Sequence, residues 1–271
     1  MNTFQIIVLG IIQGLTEFLP ISSSGHLILV PKIFGYADQG IVFDIAVHLG
    51  SLFAVALYFR GDLCTMLSSV FSFQKNNSNR DLKLFLYLII ATIPAVFVGY
   101  FLSDLIDGQL RNPLIIASTL SFFGALMWIA DKKSVRKDTI YNLDFPKVVI
   151  IGIAQSIALI PGTSRSGITM TAPLFLGLKK EDAAKFSFLL SIPVILLASC
   201  YKFFQILSNG IHVIWSELFI GAAVAFIVAY FSIGIFMKII RNYGLVPFAI
   251  YRIILGVVIF YLFLDLSLIH I

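Results

Sequence analysis

The sequence predicts an all-α polytopic membrane protein, an inverted-topology repeat of about six full transmembrane helices plus two re-entrant helix-loop-helix hairpins. Three observations carry this reading. The chain is 59% hydrophobic and 12% charged, with a mean hydropathy of +0.98, well beyond a soluble globular norm. Six apolar runs, at about 41–59, 82–102, 112–130, 186–206, 218–237 and 246–269, come close to the roughly 20 residues that cross a hydrocarbon core. A polar stretch also occurs twice, as GIIQGLTEFLPISSSG at 10–25 and GIAQSIALIPGTSRSG at 152–167. An offset of 142 carries Gly10 to Gly152, Gln13 to Gln155, Ser22 to Ser164, Ser24 to Ser166 and Gly25 to Gly167. Pro31 and Gly35 continue it to Pro173 and Gly177. Such stretches are costly in lipid unless they line a protected cavity. A duplicated one points to a single site built by two halves of a repeat. Residues 1–271 then form one integral membrane domain, with repeat halves at about 1–130 and 148–271.

Residues 3–20 have no basic region ahead of them and no clear small-residue cleavage site before Gln13. They are read as mature structure, not a signal peptide. The loops between runs then set the topology. Arg60, Lys75, Arg80 and Lys83 fall in 60–83, and Lys132, Lys133, Arg136, Lys137 and Lys147 in 131–147. Lys179, Lys180 and Lys185 fall in 179–185, and Lys238 and Arg241 in 238–241. By contrast 103–111 carries Asp104, Asp107 and one Arg111, and 207–217 has no Lys or Arg. The basic loops go inside and the others outside. The net charge of +5 is therefore a topology signal rather than a nucleic-acid footprint.

Both 131–147 and 179–185 being inside, the chain between them must enter the membrane and return. About 30 residues, broken by Pro161, Gly162 and Gly167, do not hold two full spans and a turn. A re-entrant hairpin with its tip at Gly162–Gly167 satisfies both constraints. The equivalent hairpin, 3–38, enters from the outside with Pro20–Gly25 at its tip. Three full spans per half invert the second half, so the two tips meet inside the membrane. Cys64 and Cys200 are read as buried thiols without a redox role.

The first tip, GLTEFLPISSSGHL at 14–27, holds Glu17 one turn before Pro20, with Gln13 a turn earlier on the same helical face. Ser22, Ser23 and Ser24 follow, then Gly25 and His26. Glycine lets backbone N–H groups turn inward, and hydroxyls, N–H groups and a helix N-terminus suit phosphate oxygens. Glu17 and His26 bring a general base, a general acid or a metal ligand. In the second tip, PGTSRSG, Arg165 is the only arginine between Arg136 and Arg241. A guanidinium there demands an anion, and its planar fork matches phosphate. Thr163, Ser164, Ser166 and the Gly167 amide complete the cradle. Structural roles compete with each reading: Ser22 and Ser24 as helix caps, Glu17 and Arg165 as a salt bridge, His26 as a bystander. None of them explains why all these groups converge at one depth. Asp44 and His48, at i and i+4, either flank the cleft or pair with each other.

These two motifs resemble those of the bacterial undecaprenyl-diphosphate phosphatases, the bacitracin-resistance proteins. TEFLPISSSGH at 16–26 and PGTSRSG at 161–167 carry the resemblance, with FSFLLSIP at 186–193 and PFAIYR at 247–252. It spans nearly the whole chain. The resemblance implies hydrolysis of undecaprenyl diphosphate to the monophosphate carrier of peptidoglycan synthesis, supported by a divalent cation (Mg2+ or Ca2+). It also implies the bacterial plasma (inner) membrane, with an active site opening to the outer face. Substrate and membrane lipids are the expected partners, and a homodimer is left open. By matching position, Glu17, Ser23, His26 and Arg165 form the expected catalytic core, Glu17 being the candidate metal ligand. Ser22, Ser24, Gly25, Thr163, Ser164, Ser166 and Gly167 are expected to line the phosphate site, supported by Gln13, Gln155 and Asp44. Many members have a second glutamate where this chain has Gln13, which cannot act as an anionic base. The nucleophile stays open between Ser23, His26 and metal-bound water. A second reading, a polyprenyl-phosphate transporter or flippase, would use the same cleft without chemistry.

Overall fold

The computed structural model describes the backbone of residues 1–71, 78–108, 110, 112–208 and 214–268. Lys75, Arg111 and 209–213 lie outside the described residues, as do the side chains of Asp104 and Asp107. Twelve α-helices and no strand occur among the described residues. Two short helices open the chain, α1 (Thr3–Thr16) and α2 (Ser23–Phe34). Then come α3 (Gly40–Tyr58), α4 (Arg60–Phe71), α5 (Ser78–Phe101), α6 (Ser103–Asp107) and α7 (Pro113–Lys133). A second short pair follows, α8 (Phe145–Ile157) and α9 (Arg165–Phe175), and then α10 (Lys180–Ser208), α11 (Trp215–Tyr243) and α12 (Val246–Leu268). Six of them, α3, α5, α7, α10, α11 and α12, are long and apolar enough to cross a membrane.

The observed spans start or end several residues beyond the apolar runs. Lys180–Lys185 and Lys238–Arg241, read from the sequence as loops, are helical. Hydropathy marks where a helix meets lipid, whereas backbone hydrogen bonding continues into water with Glu181 and Asp182 suited to the first turn of α10. Residues 60–71, assigned to a loop, fold as α4. Cys64 and Cys200 are exposed, not buried. In an apolar chain an outward thiol is as compatible with lipid as an inward one is with the core.

Local chemistry sets the helix starts. Asn112 accepts from Leu114 N at 2.8 Å with Pro113 opening α7, and Asp144 accepts from Lys147 N at 2.9 Å ahead of α8. The 142-residue offset seen in sequence also relates backbone features. α2 and α9 begin at Ser23 and Arg165, and α5 and α11 end at Phe101 and Tyr243. Pro31 and Pro173 lie inside α2 and α9, and Gly35 and Gly177 after them have φ of 67° and 95°.

Each short leading helix packs on a long helix from the other half of the sequence: α1 on α11, and α8 on α5. Small residues make this approach close. A Cβ on Gly14 would lie 2.7 Å from Ala225 O, and one on Gly152 would lie 2.9 Å from Ala91 O. Phe18, at the first tip, is fully buried and meets Phe188 at 5.4 Å, which meets Phe236 at 5.5 Å. Other phenylalanines, such as Phe53, Phe97 and Phe122, face outward. α1 shows an outward apolar stripe of Phe4, Ile7, Ile11 and Leu15, and α8 shows Ile150, Ile153 and Ile157.

One end of the bundle gathers the basic segments. Asp138 N donates to Gly177 O (3.0 Å) and Lys179 N to Asp138 O (2.9 Å). Lys180 pairs with Asp131 at 3.0 Å and Lys185 with Asp62 at 2.5 Å. The segments flanking the α8–α9 hairpin thus touch each other. The first hairpin closes likewise, Gln5 Nε2 donating to Ala37 O at 3.2 Å. There the N-terminal amine pairs with Glu217, at the start of α11 and far from the basic end, at 3.0 Å.

Candidate active site

The two hairpin turns, separated by more than a hundred residues, meet. Each turn is closed by a serine in a left-handed conformation, Ser22 with φ 74° and Ser164 with φ 68°. Each serine caps the following helix: Ser22 Oγ accepts from Gly25 N at 3.4 Å and Ser164 Oγ from Gly167 N at 3.1 Å. Positive φ is costly for a residue with a Cβ and concentrates at functional sites. Here it is spent twice, at equivalent positions. Ser166 Oγ then donates to Leu19 O at 3.0 Å and stitches the second tip to the first.

Glu17 is the hub. Arg165 Nη2 donates to its Oε1 at 2.6 Å. Its Oε2 accepts from Ser23 Oγ at 2.6 Å and from Gln13 Nε2 at 3.0 Å, and His48 Nε2 lies 3.5 Å away. The guanidinium sits over the Phe18 ring, 5.9 Å from its centre, and its Nη1 reaches Ser187 O at 3.5 Å. Charge-assisted bonds of this length are the strong kind. Around this hub lies a cavity of about 150 Å³ lined by Glu17, the hydroxyls of Ser22, Ser23 and Ser24, His48, Ala158, Ser164, Arg165 and Ser166. A larger, mostly apolar cavity of about 330 Å³ shares Ser24, His48, Ala158 and Arg165 with it. The larger space is at the lower end of ligand-pocket volumes. A polar chamber therefore adjoins an apolar one, a shape suited to an amphiphile with an anionic head.

Of the residues expected from sequence, Glu17, Ser23 and Arg165 are brought into direct contact, and Ser22, Ser24, Ser164 and Ser166 line the same chamber. Gly25 and Gly167 do not turn their N–H groups inward, because the capping serines take them. Thr163 is buried behind the chamber. Gln13 acts through Glu17, whereas Gln155 Nε2 donates to Ala91 O at 3.0 Å and lines the larger cavity. Asp44 also lines the larger cavity and accepts from Gln39 Nε2 at 2.8 Å.

His26 lies apart. Its Nδ1 donates to Ser22 O at 2.7 Å, and its Nε2 meets the Tyr251 hydroxyl at 2.7 Å, with the rings stacked. Position 26 follows the cap, where helical geometry aims the side chain back at the Ser22 carbonyl and outward to α12. His48 fills the place expected of His26: Nδ1 donates to Asp44 O at 2.7 Å and the ring faces Glu17. His48, weighed from the sequence only as a flank of the cleft or a partner of Asp44, lines both cavities. Tyr251 and Arg252, which lie in PFAIYR, carry no role in the sequence reading. A signal was present for Arg252, the one charge in the first eighteen residues of an apolar run.

The comparisons with known proteins agree with this geometry. Residues 6–258 match the family described as Bacitracin resistance protein BacA. The chain belongs to the BacA family. It is 50% identical over 259 residues to undecaprenyl-diphosphatase 1 of Pseudoalteromonas translucida (strain TAC 125), covering 95% of this chain and 97% of the relative. It is 49% identical over 258 residues to the undecaprenyl-diphosphatase of Alcanivorax borkumensis, with the same coverage of both chains. The BacA match extends from α1 into α12, so both hairpin tips and the Tyr251–Arg252 pair fall inside it.

Proposed function

We propose that this chain is an integral membrane phosphatase that hydrolyses undecaprenyl diphosphate to undecaprenyl phosphate and inorganic phosphate. That activity recycles the lipid carrier of peptidoglycan synthesis and confers bacitracin resistance. The observation that carries it is the Ser23–Glu17–Arg165 chain, a hydroxyl bonded to a carboxylate that is itself ion-paired to a guanidinium, in a chamber of serines. Nucleophile and base within hydrogen-bond reach, with the base oriented by a third group, is the pattern of covalent catalysis.

The diphosphate enters the polar chamber while the first prenyl units occupy the adjoining apolar cavity. Its terminal oxygens compete for Arg165, whose bond to Glu17 loosens as the guanidinium turns to phosphate. Glu17 then takes the proton of Ser23 as Oγ attacks the terminal phosphorus. The bond from that phosphorus to the bridging oxygen breaks, and undecaprenyl phosphate leaves. Glu17 passes that proton to the departing phosphate oxygen and is again a carboxylate. Water then attacks the phosphoserine. Glu17 takes a proton from the water and returns it to Ser23 Oγ as the phosphorus–Oγ bond breaks, and phosphate departs. Arg165 stabilises the charge that builds on the equatorial oxygens, a contribution of about 10²–10³ in rate per donor.

A divalent cation fits here as a partner of the diphosphate. No group of three His, Cys, Asp or Glu gathers among the described residues. Glu17 is the one tip carboxylate, and Mg2+ characteristically uses one or two carboxylates plus substrate phosphate oxygens. When bound, the ion would neutralise charge on the diphosphate.

The hairpins are proposed to be re-entrant, with the tips inside the bilayer of the bacterial plasma membrane and the cleft opening to its outer face. The contact between the basic segments flanking α8 and α9, and the outward apolar stripes of α1 and α8, support this. The test is phosphate release from undecaprenyl diphosphate by purified protein in detergent. Turnover is expected, with Arg165→Ala and Glu17→Gln inactive. A lipid transporter using the same cleft releases no phosphate, and the Ser23–Glu17 bond would serve it no purpose.

A further inference from the structure

Arg252 has no exposed surface, although it lies in the long apolar helix α12. It makes no ion pair among the described residues, and its Nε and Nη1 have no partner there. Its Nη2 donates to two successive carbonyls of the second tip, Gly162 O at 3.0 Å and Thr163 O at 2.6 Å. The preceding carbonyl, Pro161 O, accepts from Thr119 Oγ1 of α7 at 2.7 Å. Three consecutive carbonyls are thus drawn to one side of the loop. A trans peptide points its carbonyl and the next N–H in opposite directions. Binding Thr163 O to Arg252 therefore turns the N–H of Ser164 away from α12. The N–H groups of Ser164, Arg165 and Ser166 have no protein acceptor among the described residues, and all three residues line the polar chamber.

We propose that Arg252 is a positioning residue for the phosphate cradle. It fixes the Gly162 and Thr163 peptides so that the amides opening α9 face the terminal phosphate, and it places an uncompensated positive charge behind them. This deepens the phosphatase reading and rests on it for the identity of the anion. The geometry around the guanidinium is specific. A Cβ on Gly167 would lie 2.5 Å from Nη1, so Gly167 leaves the space the guanidinium occupies. Gly162, with φ 86°, gives the turn its direction, and a Cβ there would run into Thr119 Oγ1 and lie 2.6 Å from Ile116 O. Helix N-terminal amides with positive charge near them form an anion site. Arg252 contributes to it without lining the chamber.

The experiment uses the full chain in detergent and two readouts, steady-state phosphate release from undecaprenyl diphosphate and binding of inorganic pyrophosphate by calorimetry. Arg252→Met is expected to weaken pyrophosphate binding and to lower kcat/KM, each by about tenfold or more, on the scale of lost preorganised donors. Arg252→Lys is expected to recover most of both, because an ammonium can serve two carbonyls. A folded Arg252→Met variant that binds pyrophosphate within about threefold of the parent overturns the proposal. So does a variant whose only defect is a lower unfolding temperature, with affinity intact below it. Should Arg252→Met fail to fold, Gly167→Ala displaces the guanidinium while keeping its charge, and unchanged pyrophosphate affinity there also overturns it. If the parent protein binds pyrophosphate but releases no phosphate, the phosphatase reading fails, and the binding arm still decides the role of Arg252.

Discussion

Glu17 and Ser23 should behave as one catalytic unit, and a double-mutant cycle measures this. Ser23 Oγ donates to Glu17 Oε2 at 2.6 Å, and no second carboxylate lines the polar chamber. Glu17→Gln keeps the shape and removes the base. Losing a positioned general base costs about 10²–10⁴ in rate, or about 2.7–5.4 kcal/mol at 1.36 kcal/mol per tenfold. Ser23→Ala removes the nucleophile and should fall in the same range or below it. If the hydroxyl is useful only when Glu17 takes its proton, the double variant loses no more than about tenfold beyond the worse single, as groups acting together do. Independent contributions would instead multiply, to about 10⁴–10⁸ where each single loss is about 10²–10⁴. The assay is inorganic phosphate release under kcat/KM conditions, with thermal unfolding in detergent confirming the fold. Glu17→Gln also leaves Arg165 without its anion. A buried ion pair broken on one side costs about 3–5 kcal/mol of stability, but Arg165 keeps 14% of its side-chain surface exposed, so about half that is expected. Multiplicative losses, or Glu17→Gln retaining more than a tenth of parental turnover, would refute the reasoning.

Arg165→Lys keeps the charge and loses the fork that holds Glu17 and phosphate together, so kcat/KM should drop by about 10–100-fold with little change in unfolding temperature. Tyr251→Phe removes the hydroxyl on His26 Nε2, a bond worth about 1 kcal/mol net, and turnover should stay within about fivefold. A loss matching Ser23→Ala would put the His26–Tyr251 pair into the chemistry. Gly14→Ala should destabilise by about 1–3 kcal/mol in thermal unfolding, because its Cβ meets the α11 backbone at 2.7 Å. Gly61→Ala, with open space around it, should be neutral or slightly stabilising.

Lipid explains why so much of this fold was readable and where reading stopped. Hydrocarbon tolerates few side chains, so apolar runs mark spans and a duplicated polar stretch marks a site. Glu17, Ser23 and Arg165 stood out because polar and charged groups are rare in so apolar a chain. α4 escaped because Arg60–Phe71 mixes polar and apolar residues and its helicity is decided by packing on α5. Sequence spacing sets His48 with Asp44, as flanking the cleft or pairing with it. Its Nδ1 donates to the Asp44 carbonyl, and the ring turns to a tip assembled by other helices, which spacing along α3 does not report. His26 misled for the same reason: adjacency to Ser23 in sequence does not set where a side chain after a helix cap points. Arg252 carried the same mark as Arg165, a guanidinium in an apolar setting. Its partners, however, are carbonyls ninety residues away, and no spacing rule reports those.

The inverted arrangement makes a last prediction that does not depend on catalysis. If both hairpins turn back inside the bilayer, the segments at the two ends of α8–α9 share one face of the membrane, and the N-terminus shares the other with the start of α11. Lys179 N donates to Asp138 O, Asp138 N donates to Gly177 O, and Met1 pairs with Glu217. Contacts this short cannot span a hydrocarbon core about 30 Å thick. In a background with Cys64 and Cys200 replaced by serine, single cysteines at Lys137 and Lys179, both exposed, should react with a membrane-impermeant maleimide only after the cytoplasmic face is opened. A cysteine at Trp215, also exposed, should react in intact spheroplasts. Labelling of Lys137→Cys and Lys179→Cys from opposite faces would require α8 and α9 to cross the membrane. At 13 and 11 residues they span about 20 and 17 Å at 1.5 Å per residue. Neither reaches across alone, and the bond between Asp138 and Lys179 would have to break. Same-face labelling keeps both ends of the α8–α9 hairpin on one side, as a re-entrant hairpin requires and a pair of crossing helices forbids.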